Sequence, residues 1–316
     1  MVWAMKKSVS LASLLLALPV SIAAGADLPS KKEPVVAPVV GPVWTGFYAG
    51  LNAGGTWANN NTTNLTTYNI YQPAGSADYV AAALLNGTQS SSRGGGFIGG
   101  GQVGYNWQAK FAGRDFVTGV EADFQGIAGS GGNGSRWGAA PNAGVSGGTT
   151  ANVFVPISLT SNIQGNSQLN WLGTVRGRVG YLVTPALMLY GTGGLAYGGA
   201  TGSLQTSIFW NENGGNNAFL QIGKNNYSNT MVGWTAGGGA EWMFMPNMSA
   251  KVEYLYYDLG SASGSVVNPF YGIQAVAGRN GLESVTNYSS RVNGNIVRAG
   301  VNYHINFAPA PIIAKY

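Results

Sequence analysis

Apolar and polar residues alternate with a period of two in eight separate segments, and this pattern constrains the fold more than any other feature of the chain. Successive side chains of a β-strand point to opposite faces, so each segment predicts a strand with one apolar and one polar face. Strands that face lipid on one side and a polar lumen on the other have this pattern. The segments lie at about 47–54, 97–107, 116–125, 169–181, 187–197, 234–242, 251–257 and 297–307.

The connections between the segments alternate strictly in length. Short ones follow the second, fourth and sixth segments, whereas the others are long and rich in Asn, Gly, Ser and Thr. Outer-membrane barrels have short periplasmic turns and long extracellular loops. The sequence therefore predicts an all-β fold, a transmembrane antiparallel up-and-down β-barrel of eight strands. Ten strands are the alternative if 152–160 pairs within the membrane, although we expect that stretch to extend a hairpin above it. The long connections cover about 58–94, 129–165, 201–229 and 261–289.

Composition excludes several other classes of protein. Only 9% of the residues are charged and 50 of 316 are glycine, whereas ordinary soluble domains have about 25% charged residues and about 7% glycine. The chain has no cysteine, which excludes disulfide scaffolds and thiolate zinc sites. Beyond the N-terminus no run approaches the roughly 20 apolar residues of a membrane helix. Membrane strands explain this combination, since their polar faces offset their apolar ones.

The N-terminus predicts export. Lys6 and Lys7 precede a short apolar stretch, and Ala24-Gly25-Ala26 has the small-x-small form of a cleavage site. We therefore predict a signal peptide at 1–26, with Met5 as an alternative start to Met1. Residues 27–43 contain four prolines and predict an extended periplasmic linker. The barrel is predicted at 44–307 and a C-terminal extension at 308–316.

Eight charged residues fall on the predicted lumen face, four of each sign. Side chains can fill the interior of an eight-stranded barrel, and buried charges are tolerated there when they are paired. We interpret the eight as a structural network, because an ion-selective pore favours an unbalanced ring of charge. A narrow porin-like channel for small solutes is the alternative. The eight residues are Glu121, Asp123, Arg176, Arg178, Glu241, Lys251, Glu253 and Arg298.

Outward-facing aromatic residues fall near the strand ends and predict two girdles at headgroup depth. In the fourth segment the alternation also places Leu169 toward lipid. The periplasmic girdle would consist of Phe47, Trp107, Phe116, Tyr181, Trp242 and Phe307. The outer girdle would consist of Trp57, Phe97, Phe124, Trp171, Tyr197, Trp234 and Tyr256.

We predict no catalytic residue, no bound cofactor and no metal site. The run 99–104 matches the dinucleotide motif G-x-G-x-x-G, but it lies inside a strand segment with no helix after it. His304 is the only histidine and falls on the lumen face. The long connections offer Asp78, Glu212 and Glu283 only as isolated acids. Catalysis needs a nucleophile and a base, or a metal cluster, so we expect no enzyme.

Four stretches resemble the alphaproteobacterial outer-membrane immunogenic protein family, a porin-like branch of the opacity-protein and OmpA-like eight-stranded barrels. They are WTGFYAGLNAGG (44–55), GWTAGGGAEW (233–242), KVEYLYYDLG (251–260) and VRAGVNYHINF (297–307). They span most of the chain outside the predicted signal peptide. The outer loops are long for the family, and the extension at 308–316 departs from the usual terminal aromatic residue.

The resemblance implies an abundant surface antigen of the cell outer membrane that supports envelope integrity. It also implies partners: outer-membrane lipid and lipopolysaccharide, and the periplasmic export and barrel-insertion machinery. Some members of the family bind haemin, so a loop-borne ligand or a host surface is a further alternative. We expect a monomer. Nucleic acid is not an expected partner, because loss of Lys6 and Lys7 leaves 14 basic against 11 acidic residues, or +3.

Overall fold

The computed structural model of the protein describes residues 43–59, 62–69, 85–90, 95–146, 154–212, 218–268, 270–271 and 284–305. The predicted signal peptide, almost all of the predicted linker, Phe307 and the extension at 308–316 lie outside these residues. Nearly all of the described residues are in β-strands. None of the helical structure within these ranges is long and apolar enough to cross a membrane.

Within the described ranges, twelve strands form one sheet. Their bounds are β1 Gly46–Ala58, β2 Thr62–Asn69, β3 Gly87–Ser90, β4 Gly95–Phe111, β5 Arg114–Ala128, β6 Gly132–Ser146, β7 Phe154–Thr184, β8 Leu187–Glu212, β9 Ala218–Met245, β10 Met248–Asn268, β11 Phe270–Tyr271 and β12 Ser284–Ile305.

Eight of these strands close into a ring. The order is β1-β4-β5-β7-β8-β9-β10-β12, and β1 pairs with both β4 and β12. All of the pairings are antiparallel. Closure pairs every strand of the ring on both sides, which is the condition for crossing lipid with strands. The predicted eight-stranded antiparallel barrel is confirmed.

Side chains of the ring alternate between lipid and lumen. On β1, Phe47 and Leu51 are 54% and 74% exposed, whereas Tyr48 and Asn52 are 2% and 5% exposed. On β12, Val297, Val301 and Tyr303 are exposed, and Arg298, Asn302 and His304 are buried. The three short connections are tight turns at 112–113, 185–186 and 246–247, and their length marks the periplasmic end.

The structure corrects the predicted side-chain orientation of one residue. Leu169 was expected to face lipid with Trp171, but it is buried. The pairing of β7 with β8 shifts between these two residues, so that Leu169 lies opposite Ala200 and Trp171 opposite Gly199. A bulge of this kind adds a residue to one strand and reverses the facing of the residues beyond it.

The strands on the extracellular side are much longer than the alternation predicted. β7, β8 and β9 have 31, 26 and 28 residues, whereas crossing the membrane takes about 9–11. Much of the sequence expected as long polar loops is therefore β-structure. Residues 154–160 pair with β6 and β8 at the far end of this hairpin and add no strand to the ring.

These extensions form a second layer, which we call the cap. Here β6, β2 and β3 replace β1, β4 and β5, which gives the order β6-β7-β8-β9-β10-β12-β2-β3. Hydrogen bonds join its two ends: Gln89 Nε2 donates to the Gly134 carbonyl at 2.6 Å, and Arg136 donates to the carbonyls of Leu85 and Asn86 at 2.9 Å. The buried apolar residues of the cap include Leu65, Leu85, Ile163, Leu204, Ile208 and Val266.

Candidate functional site

All eight charged residues predicted to face the lumen lie inside the ring, each with at most 5% of its surface exposed. Strand register explains why they meet. Glu121 on β5 lies opposite Arg176 on β7, Glu241 on β9 lies opposite Lys251 on β10, and Glu253 on β10 lies opposite Arg298 on β12. Because the barrel is narrow, these strands also point their side chains across the lumen at one another.

Arg176 is the hub of the network. Its guanidinium lies 2.5 Å from Glu121, 2.9 Å from Asp123 and 3.0 Å from Glu253. Arg298 joins two of the same carboxylates, at 2.8 Å from Asp123 and 2.5 Å from Glu253. Two arginines therefore tie together carboxylates from β5 and β10, which are not neighbours in the ring.

The remaining charges extend this network toward the periplasmic end. Lys251 Nζ lies 2.9 Å from Glu121 Oε1. Arg178 pairs with Glu241 at 2.5 Å and approaches Glu121 at 3.5 Å. All eight charges thus belong to one connected and balanced cluster. A buried charge that lacks such partners is strongly destabilising.

Two tyrosines complete the network, and the sequence had given neither of them a role. The Tyr48 hydroxyl donates to Glu121 at 2.7 Å, and the Tyr190 hydroxyl donates to Glu253 at 3.0 Å. The Arg178 guanidinium lies 4.5 Å from the ring centroid of Tyr190. Both tyrosines face inward in the period-two pattern, but nothing in the sequence shows which carboxylate each one reaches.

His304, Ser249 and Glu241 lie together at the periplasmic end of the lumen. Ser249 Oγ is 2.8 Å from His304 Nε2 and donates to Glu241 at 2.5 Å. Because a carboxylate can only accept, the hydroxyl proton of Ser249 is directed at Glu241. All three side chains are buried.

Apolar side chains lie next to the charged layer on both sides. At the periplasmic end, Trp44 is fully buried with Val117, Leu182 and Met188, and its indole N–H donates to the Pro185 carbonyl at 3.0 Å. On the extracellular side lies a larger cluster. Its members are Ile98, Leu169, Leu172, Ala196, Ala200, Met231, Leu255, Tyr257, Leu259, Ala262 and Ile296. The described side chains of the lumen therefore lie in three layers, of which the alternation pattern predicted only the polar one.

Twelve of the thirteen predicted girdle residues are described, and Phe307 is not. Several of them contact one another on the outer surface. Phe124 stacks on Trp171 at 5.5 Å, and Trp171 meets Tyr197 at 6.0 Å. Near the opposite end Phe116 lies 5.6 Å from Tyr181. The other exposed aromatic side chains of the ring include Phe111, Phe244 and Tyr303.

Two further features concern metal and nucleotide binding. Among the residues it describes, no group of three or more His, Asp or Glu side chains could hold a metal ion. The glycine-rich run 99–104 lies in the middle of β4. Its glycines serve close strand packing, because a Cβ at Gly100 would collide with the backbone of Phe124.

Similarity to known proteins identifies the family. The family model of the outer membrane protein beta-barrel domain matches residues 12–305. The chain belongs to this outer-membrane barrel family. Within it, the 31 kDa outer-membrane immunogenic protein of Brucella melitensis is 34% identical over 303 residues, which cover 94% of this chain and 99% of that protein. The predicted family and the location in the outer membrane are thereby confirmed.

Two further proteins are similar to this chain, one over part of its sequence and one in a structural comparison. The 22 kDa outer membrane protein of Rhizobium leguminosarum is 34% identical over 175 residues, which cover 52% of this chain and 58% of that protein. The crystal structure of the outer membrane protein OprG from Pseudomonas aeruginosa is 10% identical and covers 84% of this chain and 99% of that one, with a TM-score of 0.35. A TM-score this low carries no argument about function.

Proposed function

We propose that this outer-membrane barrel is a structural, surface-exposed protein whose filled lumen does not conduct and which supports the integrity of the envelope. The observation that carries the proposal is the layering of the lumen. A balanced cluster of eight charges lies between an apolar plug around Trp44 and a second apolar cluster around Leu255. Ions that crossed the barrel would have to displace all three layers.

Conductance tests this proposal directly. We expect the purified full chain, refolded in detergent and added to a planar bilayer, to show no steady single-channel steps. Replacement of Trp44 by alanine should leave the lumen closed, since the charged layer and the upper apolar cluster remain. A general porin of about 16 strands in the same bilayer is the positive control. Large, steady steps from the unaltered protein would contradict the proposal.

A role in the envelope requires a cellular measurement. Cells that lack the protein should become more sensitive to a large antibiotic that an intact outer membrane excludes. Expression of the full chain should restore resistance, and so should the Trp44→Ala variant if it still inserts. Unchanged sensitivity in cells without the protein would argue against support of the envelope.

We further propose that the site is not enzymatic. Its ionisable groups are paired with one another in a sealed interior, whereas catalysis requires groups that reach a substrate. Incubation of the purified protein with peptide, ester and phospholipid substrates should release no product above the level of a boiled sample.

The cap favours a second candidate function, which is contact with molecules outside the cell. Ordered strands extend β7 by about 20 residues and β8 by about 15 beyond the length needed to cross the membrane. A barrel that served only to fill the membrane would not need them. Adhesion or ligand binding through this region is tested by comparing the full chain with variants that carry substitutions on the cap surface.

A further inference from the structure

The cap consists of two halves that meet along two seams. In the first half β6, β7, β8 and β9 are paired in that order, and in the second half β10, β12, β2 and β3 are paired in that order. The register of β9 with β10 ends at Trp234 and Asp258, where the ring passes into the cap. Above this level each half is a four-stranded antiparallel sheet of its own.

The seam between β9 and β10 is tied at both ends, and we call it the hinge seam. At its lower end the two strands belong to the ring and are paired there. At its upper end β11, which is separated from β10 by one residue, pairs with β9 and places Phe270 opposite Gln221. Between these ends Asn225 of β9 donates to the Ser265 carbonyl of β10 at 2.9 Å. The halves therefore cannot separate on this side without loss of β-pairing.

The seam between β3 and β6 is held by side chains, and we call it the latch seam. Within the described strands, β3 pairs only with β2 and β6 pairs only with β7. Gln89 of β3 donates to the Gly134 carbonyl of β6 at 2.6 Å. Arg136 of β6 donates to the carbonyls of Leu85 and Asn86, at 2.9 Å each. The net contribution of such bonds is small, because water replaces them when they break, so this is the weaker seam.

Arg136 lies against a turn of the second half that is shaped to receive it. Gly87 has a φ of +121°, a conformation that glycine adopts far more readily than other residues. A Cβ at Gly87 would lie 2.8 Å from Arg136 Nη1, so the guanidinium would have to move. The turn thus presents two backbone carbonyls and a surface without a Cβ to one cationic side chain.

Buried side chains from both halves meet behind the latch seam. Leu65 and Leu85 of the second half and Ile163 of the first are 4%, 0% and 1% exposed. Gln89 also reaches across to the first half, since a Cβ at Gly165 of β7 would lie 3.5 Å from its Oε1. Separation of the halves at this seam would bring these side chains into contact with the medium.

We propose that the cap opens at the latch seam by rotation about the hinge seam, while the ring stays closed. Arg136 and Gln89 set the fraction of molecules that are open. In the open form an apolar group from the medium can reach Leu65 and Leu85, which the closed form covers. The inference does not rest on the proposed function, because it concerns the cap and not conductance through the lumen.

The test uses the absence of cysteine from the chain, since a single introduced thiol then reports the accessibility of its own site. Leu65→Cys lies behind the latch seam, because Leu65 is opposite Gly87. Val266→Cys lies beside the hinge seam, because Val266 is next to Gly223 of β9. Both sites are buried. The rate at which a water-soluble maleimide labels the refolded full chain follows the open fraction at each site.

The two sites should respond differently to loss of the latch. Arg136→Gln should accelerate labelling of Leu65→Cys about tenfold, and Gln89→Ala, which removes one neutral donor, should accelerate it about threefold. Neither change should alter the labelling rate of Val266→Cys. Arg291→Gln is the matched control, because Arg291 is a largely exposed arginine that pairs with Asp258 and not with the latch seam, and it should alter neither rate.

Folding is checked in every variant by the difference in gel mobility between heated and unheated samples, which should persist. Leu85→Cys is the second probe on the latch side if Leu65→Cys does not refold. Equal acceleration at the latch and hinge sites would show that the whole cap unfolds, and this result overturns the proposal. The proposal is also overturned if neither Arg136→Gln nor Gln89→Ala changes the labelling rate on the latch side.

Discussion

The lumen of the ring and the interior of the cap are built from the same continuous strands, yet they bury different chemistry. The lumen holds four carboxylates and four cationic side chains within one network. The buried polar side chains that the structure describes in the cap are neutral: Asn268 accepts a hydrogen bond from Thr206 and donates to Ser284 at 3.2 Å and to Thr286 at 3.4 Å. One sheet thus carries two cores.

The difference follows from the surroundings of each region. In the membrane the outer face must be apolar, so the polar residues of each strand are confined to the lumen, where charges have to pair with one another. The cap has water outside, so its strands can place polar side chains on either face. The cap therefore needs no charge-pair network to hold its strands together, and its described core combines apolar with neutral polar side chains.

The largest effect is expected in the lumen. Arg176→Met removes the partner of three carboxylates and should cost about 3–5 kcal/mol. This is measured from the shift of the urea midpoint for loss of the heat-sensitive gel band. The double variant Arg176→Met with Glu253→Gln removes one charge of each sign and should lose less. Equal losses in the two variants would show that charge balance does not govern the stability of the lumen.

A smaller and local effect is expected in the apolar core of the cap. Ile163→Ala empties a buried site there and should cost about 2–4 kcal/mol. Because this core is separate from the lumen, proteolysis of the cap should accelerate while the gel shift of the ring is unchanged. Ile222→Ala, at a site that is 40% exposed on the cap, is the control and should have little effect. Simultaneous loss of cap and ring would show that the two layers unfold as one unit.

The neutral polar cluster of the cap should contribute still less to the free energy of unfolding. Asn268→Ala removes hydrogen bonds to uncharged partners and should cost about 1–2 kcal/mol, seen as faster proteolysis of the cap. Asn225→Ala, which loses a single bond to the Ser265 carbonyl near the surface, should be milder. If Asn268→Ala lost as much stability as Arg176→Met, the interiors of the cap and of the lumen would not differ in the way described.

The smallest effect is expected where the two regions meet at the surface. Arg291 pairs with Asp258, but 55% of its side chain is exposed to solvent. Water and salt screen such a pair, so Arg291→Gln should barely move the unfolding midpoint at physiological salt. A marked destabilisation that persists in high salt would show that this pair acts as a buried one.

The sequence predicted the ring because lipid imposes a strict rule on it. Every second residue of a membrane strand must be apolar, and residues 297–305 follow that rule without exception. The rule fails at Leu169, where a bulge reverses the facing. The rule fails again above the outer girdle, because water outside the cap removes the need for apolar residues on the outer face. Asn-, Ser- and Thr-rich strands of the cap therefore looked like loops.

The sequence by itself determined the closed eight-stranded ring, its orientation from turn lengths, and the set of charged residues that face inward. Only the tertiary structure decided which charges pair, since the partners Asp123 and Arg298 are 175 residues apart along the chain. It also decided that apolar layers flank the network and that the strands continue into a cap. Periodicity along a strand reports the solvent on each face, whereas pairing across a lumen depends on register and curvature, which only the closed sheet sets.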